Sequence, residues 1–148
     1  MKAGEKLLAL QPDPRTMRLY QTYHDCGKHL CRTADEARCQ HFEGHAAASA
    51  AAWRAACGDK DPRGDIAWLI ERDMLLHTGS SEECAQLQGH RLAPALIFTA
   101  LAELHANARM FGGAQSTSAK IKLKLKHIKR RAGSLVRSMQ WNEISAIG

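Results

Sequence analysis

The chain has 148 residues, of which 45% are apolar and 24% are charged, and its formal net charge is +6 at pH 7. This length corresponds to one domain, and this composition excludes a wholly disordered chain. Aromatic residues make up only 5%, and helix-favouring Ala, Leu, Lys, Arg and Glu outnumber the β-branched residues. We therefore predict an all-α protein, a small bundle of about five or six helices with a basic C-terminal helix.

No apolar run is long enough to cross a membrane. The longest, Leu92–Ala102, has eleven residues between Arg91 and Glu103, about half of what a bilayer requires. The first 14 residues carry no small-residue cleavage signature of an export signal. Five cysteines are an odd number, which argues against a disulfide framework and fits a reducing compartment. These features predict a cytoplasmic protein without a membrane partner.

Caps and prolines mark the first predicted helix. Asp13 followed by Pro14 is a typical helix start, and the helix is expected to run to about Cys26. Gly27 is expected to end it in the left-handed conformation. The segment from there to Arg32 is then a tight connection.

Capping boxes and glycines predict the next helices. Thr33 and Glu36 have the spacing of a capping box, so the second helix is expected from Ala34 to about Ala56, with Gly58 as its stop. Further caps and apolar periods predict three more helices. These span about Pro62–His77, Ser81–Gln88 and Pro94–Phe111, the last with a stripe of Ile97, Leu101, Leu104, Ala108 and Phe111.

Charge is distributed unevenly along the chain. Residues 1–117 hold 13 basic and 14 acidic side chains, whereas residues 118–148 hold 8 basic side chains and 1 acidic one. Lys120–Lys126 alternates as a half-buried strand would, but the apolar residues from Ile121 to Met139 follow a longer helical period, which favours a helix. We predict one domain over residues 1–148, with a near-neutral bundle at 14–112 and a basic amphipathic helix at 118–140.

The basic helix predicts an anionic partner. Like charges at this density repel, and no carboxylate lies among them to relieve the repulsion. Phosphates would relieve it, so we expect binding to the backbone of DNA or RNA without sequence specificity, as a small subunit of a larger nucleoprotein complex. The residues expected to contact phosphate are Lys120, Lys122, Lys124, Lys126, Lys129, Arg130, Arg131 and Arg137.

Other interpretations use the same lysines. The helix of an inhibitor or adaptor would dock on an acidic protein surface, and a merely solvated face would bind nothing. A metal- or redox-responsive regulator would couple its cysteines to nucleic-acid binding. Catalysis is not predicted: the order of His41, Glu43 and His45 matches no zinc-protease motif, and no phosphate-binding glycine loop is present in the sequence.

Cysteines and histidines cluster near the start of the chain. Seven of the thirteen lie between His24 and His45. Four of them have the form C-x4-C-x9-H-x3-H, close to a Cys2His2 zinc pattern but with a short middle. We therefore consider a structural zinc ion, and the alternative is that these thiols are small buried side chains. The four candidate ligands are Cys26, Cys31, His41 and His45.

Overall fold

The computed structural model describes residues 12–109 and 119–138. Helices dominate this part of the chain, accompanied by one two-stranded ribbon, which confirms the predicted all-α class. The chain divides into two compact units: residues 13–74 form the first, and the described residues from Leu75 onward belong to the second. The junction between the predicted bundle and the predicted basic helix, at residues 112–118, lies outside the described residues.

The first unit is built around helix packing. Its α2 contacts α3, and α3 contacts α1. Buried Trp53, Ile66, Leu69 and Ile70 form much of its core. Its elements are α1 (Pro14–Tyr23), β1 (Thr33–Ala34), β2 (Gln40–His41), α2 (His45–Cys57) and α3 (Asp65–Glu71), with 3₁₀ turns at Lys28–Leu30 and Gly58–Lys60.

The second unit packs three helices against the basic C-terminal helix. Its elements are α4 (Leu75–Thr78), α5 (Ser81–Ala85), α6 (Ala93–Arg109) and α7 (Ala119–Ser138). Each of α4, α5 and α6 contacts α7. On α6, Ile97, Leu104 and Ala108 of the predicted stripe are buried and Leu101 is half-buried. Phe111 lies outside the described residues.

Two predicted caps are confirmed. The Asp13 carboxylate accepts a hydrogen bond of 2.7 Å from the Thr16 amide, and this backbone bond lowers the pKa of Asp13. Ser80 and Glu83 form the reciprocal capping box at the start of α5. The backbone bond from the Ser80 amide likewise lowers the pKa of Glu83.

The predicted helix from Ala34 to Ala56 is wrong in its first half. Residues 33–41 form the ribbon, in which Thr33 pairs with His41, and the helix begins only at His45. The Asp35 carboxylate accepts a 2.8 Å bond from the Cys39 amide, which closes the turn in place of a helical hydrogen bond. The sequence around it also lacks the apolar period that would bury a helix face.

The predicted helix from Pro62 to His77 is divided. Gly64 adopts the left-handed conformation, so α3 begins after it, and the Asp61 carboxylate caps the helix by accepting bonds from the Ile66 and Ala67 amides. A turn follows α3, where the buried Asp73 accepts a hydrogen bond from the Tyr20 hydroxyl. This buried bond stabilises the turn that separates α3 from the next helix.

Gly27 has a different role from the one predicted. Its φ of −92° is an ordinary right-handed value, so the expected left-handed stop is wrong. Its backbone instead lies against α2, where its amide donates a 2.8 Å bond to the Ser49 hydroxyl. A Cβ at Gly27 would lie 2.4 Å from the Ser49 nitrogen. Close approach of two backbones therefore requires glycine here.

Gly27→Ala is expected to lower the free energy of unfolding by about 3 kcal/mol, because the added methyl group collides with backbone rather than with a flexible side chain. Urea unfolding followed by tryptophan fluorescence measures the change. Gly58→Ala is the matched control, since Gly58 has a helical φ and open space around its Cβ position, and it should be neutral or slightly stabilising. Equal stability of the two variants would contradict the close-approach explanation.

Candidate nucleic-acid interface

Helix α7 has a buried apolar face. Ile128, Ala132, Leu135 and Val136 are buried, and Leu125 is half-buried. These positions recur at three- and four-residue intervals, as an α-helix requires for residues on one face. The helical interpretation of the basic segment is thus confirmed, and the apolar face holds the helix in the second unit.

Beside this apolar face, α7 carries a row of cations that we call the basic stripe. Its members are all exposed and recur at intervals of three, four and seven residues, which places them on one side of the helix. From first to last the stripe extends over about 22 Å at 1.5 Å per residue. The basic stripe consists of Lys122, Lys126, Lys129, Arg130 and Arg137.

The remaining predicted cations lie elsewhere. Lys124 is exposed, but it is two residues from both Lys122 and Lys126 and therefore about 160° away from them around the helix. It does not belong to the stripe. Lys120 lies in the first turn of α7, and its side chain is outside the described part of the structure.

Arg131 has a structural role that the sequence did not reveal. Its guanidinium donates two hydrogen bonds of 2.9 Å, to the carbonyl oxygens of Leu76 and His77 on α4. Its side chain is half-buried, and a guanidinium suits this position because it offers several donors in a fixed plane. Arg131 thus differs from the other cations predicted to contact phosphate: its donors are directed at the protein itself.

A third carbonyl of α4 also accepts a hydrogen bond from a side chain of a neighbouring helix. The thiol of Cys84, on α5, donates to the Leu75 carbonyl oxygen over 3.3 Å. Burial raises the pKa of this thiol. In addition, Nε2 of His77 lies 3.3 Å from a carboxylate oxygen of Glu103 on α6. Helix α4 is only four residues long, yet it is joined through these contacts to all three neighbouring helices.

The charges of the basic stripe are not neutralised within the described residues. None of its five cations lies within 4.0 Å of a carboxylate belonging to residues 12–109 or 119–138. Repulsion between neighbouring cations is therefore unrelieved by the protein. An anion with regularly spaced charges would lower this repulsion.

Two residues of α7 were not singled out by the sequence. Gly133 lies within the basic stripe, between Lys129 and Arg137 in the helical row. Leu123 is 55% exposed beside the first cations of the stripe. The only sequence signal for either is a residue type that does not suit its place: a glycine inside a helix and a leucine among lysines.

The predicted zinc ligands lie in different local environments. The Cys26 thiol donates to the Ser49 carbonyl oxygen over 3.6 Å. Nδ1 of the buried His45 is 2.8 Å from the Phe42 carbonyl oxygen, and Nε2 of that ring is 3.5 Å from the Asp25 carboxylate.

The predicted helix from Ala34 to Ala56 would contain both His41 and His45. In the structure, His41 is exposed on the ribbon and only His45 lies on the helix. Its Nε2 is 2.9 Å from the Asp35 carboxylate, and this bond lowers the pKa of Asp35. Cys31 is half-buried. Within the described residues, the ligand atoms of these cysteines and histidines do not gather within 4.8 Å of one another. A structural zinc ion stays a prediction.

The first unit has a groove of about 520 Å³ that is lined in part by arginines. Its arginines are matched by carboxylates: Arg54 and Arg72 bond to Glu71 at 3.1 and 3.2 Å, and Arg63 bonds to Asp65 at 3.0 Å. The groove therefore offers less net positive charge to an anion than the basic stripe does. Its lining also includes Trp53, Asp61, Ala67 and Trp68.

Comparisons with protein families, with curated proteins and with solved structures found no match to this chain. Among the described residues, no helix is both long and apolar enough to cross a membrane.

Arg131→Gln is expected to lower the free energy of unfolding by about 2 kcal/mol, because two carbonyls lose charge-assisted hydrogen bonds. Arg130→Gln removes the same charge from the adjacent, exposed position and should change stability by less than about 0.5 kcal/mol. Urea unfolding followed by circular dichroism compares the two variants. Equal effects would contradict the structural role of Arg131.

The thiols are expected to react with an alkylating reagent in order of exposure. Cys39 is exposed and Cys84 is buried, and a raised pKa further reduces the thiolate fraction of Cys84. Mass spectrometry of timed samples should find Cys39 modified first and Cys84 last. A zinc ion held by Cys26 and Cys31 would protect those two thiols until a chelator is added, so the same experiment tests the zinc prediction.

Proposed function

We propose that this chain is a non-enzymatic nucleic-acid-binding protein that holds the phosphate backbone along the basic stripe of α7. The observation that carries the proposal is the row of five exposed cations without a described carboxylate partner. Each contact with a phosphate releases condensed counterions, which is the main source of affinity for non-specific binding.

The arrangement of the stripe favours contact with the backbone over base recognition. No Phe, Tyr, Trp, Asn or Gln lies between Lys122 and Arg137, so the stripe lacks the aromatic side chains that stack on bases and the amides that pair with adenine. Lysine and arginine recognise phosphate through charge and hydrogen bonding. The proposed binding is therefore independent of sequence, for DNA or RNA, in keeping with a subunit of a larger nucleoprotein complex.

A protein partner is the second candidate function. Leu123 is exposed at the edge of the stripe, and a large apolar side chain beside cations suits an acidic protein surface with an apolar patch. A stripe that docks on an acidic protein would keep its affinity for that protein when nucleic acid is added at physiological salt. If the stripe binds phosphate instead, the added nucleic acid would compete for the stripe and displace a bound protein.

The double variant Lys126→Glu, Lys129→Glu is expected to lower the affinity for nucleic acid at least tenfold at low salt. With five contacts, the slope of log K against log salt should be about −4 to −5 for the unmodified protein, and the variant should reduce its magnitude by about 2. Fluorescence anisotropy with labelled duplex DNA, single-stranded DNA and duplex RNA over a salt titration measures both quantities.

Arg15→Glu, Arg18→Glu is the matched control, since it makes the same change in net charge at two exposed positions of α1. It should leave the salt slope almost unchanged. If the control weakens binding as much as the stripe variant does, the interaction reflects net charge and not the stripe. Absence of binding by the unmodified protein at low salt would contradict the proposal and favour the protein partner.

A further inference from the structure

Gly133 occupies the middle of the basic stripe, although glycine is among the least favourable residues in a helix interior. It follows Lys129 by four residues and Arg130 by three, and it precedes Arg137 by four. These intervals bring the four positions together on one face of α7. The helix therefore has cations on both sides of a position without a side chain.

Neither backbone geometry nor packing explains this glycine. Its φ is not positive, unlike that of Gly44, Gly64 and Gly89. A Cβ at Gly27 or Gly79 would collide with backbone atoms at 2.4 and 2.5 Å. Among the described residues, a Cβ at Gly133 would meet only the end of a flexible side chain.

That side chain belongs to Arg137. Its Nη1 lies 3.3 Å from the position that a Cβ of Gly133 would take. The guanidinium thus lies back over the bare helix backbone, toward the preceding cations of the stripe. An alanine would displace it by a few tenths of an ångström or turn it toward solvent.

We propose that Gly133 creates a phosphate seat, in which Arg130 and Arg137 hold one phosphodiester of a nucleic-acid backbone with Lys129 beside it. This inference rests on the proposed function of the stripe. Backbone amides inside a helix are already hydrogen-bonded, so the donors are the guanidinium groups, which match two phosphate oxygens at once. The missing Cβ leaves room for the Arg137 guanidinium over the helix backbone, and from there it holds the phosphate together with Arg130.

The test compares Gly133→Ala with the unmodified full chain on a labelled DNA duplex. Alanine favours the helix, so the melting temperature should rise or stay constant, while the affinity should fall about three- to tenfold. Arg137→Lys keeps the charge but loses the planar fork, and it should weaken binding to a similar extent. Because both changes disturb one seat, the double variant should bind only slightly more weakly than either single variant.

Ser134→Ala is the matched control, since Ser134 is the exposed neighbour of Gly133 and also gains helix propensity. It should leave affinity unchanged. If Gly133→Ala binds as tightly as the unmodified chain while Lys126→Glu, Lys129→Glu still weakens binding at least tenfold, the seat is overturned and the proposed function stands. If the charge-reversed variant also binds normally, the proposed function itself fails.

Discussion

The two hydrogen bonds from Arg131 to the carbonyls of α4 determine how the second unit presents its charge. They fix the rotation of α7 about its own axis together with the buried face that includes Ile128 and Leu135. Rotation of α7 would break these bonds and would also expose the buried side chains of Ile128 and Leu135. With Arg131 held, the basic stripe has to face away from the neighbouring helices. The inward-directed side chain of Arg131 thus determines which way the exposed cations of the basic stripe face.

Positively charged side chains have different surroundings in the two units. In the first unit, the arginines of the groove are paired with Glu71 and Asp65, and the pair of Arg54 with Glu71 joins α2 to α3. In the second unit, the stripe has no described partner and its cations are exposed. Exposed ion pairs contribute little to stability, whereas an unpaired row has a large effect on anion affinity. The uneven distribution of charge along the sequence therefore corresponds to two roles: the described arginines of the groove form ion pairs within the protein, and the cations of the stripe are available to an external anion.

Short sequence patterns correctly predicted those elements that depend on interactions between residues close together in the chain. The cap at Asp13, the capping box at Ser80 and the apolar period of α7 depend on residues within one or two turns, and all three are confirmed. The roles of Gly27 and Arg131 depend on partners about twenty and fifty-five residues away, which no local pattern contains. The helix predicted from Ala34 failed because a capping box is a weak signal when no apolar face follows it. Within the candidate site, the sequence identified the cations but could not separate Arg131 from its neighbours.

The ribbon of residues 33–41 has a consequence for how the first unit opens. Every one of its residues is exposed, and each strand has only two residues. A hairpin of this size has no core of its own and is marginal in water. Its backbone hydrogen bonds can therefore break and re-form while α1, α2 and α3 stay folded, so its amides exchange with solvent through local opening and not through global unfolding. The turn closed by Asp35 is then a separate cooperative element. The fraction of molecules in which it is formed can change while the core around Trp53 stays folded.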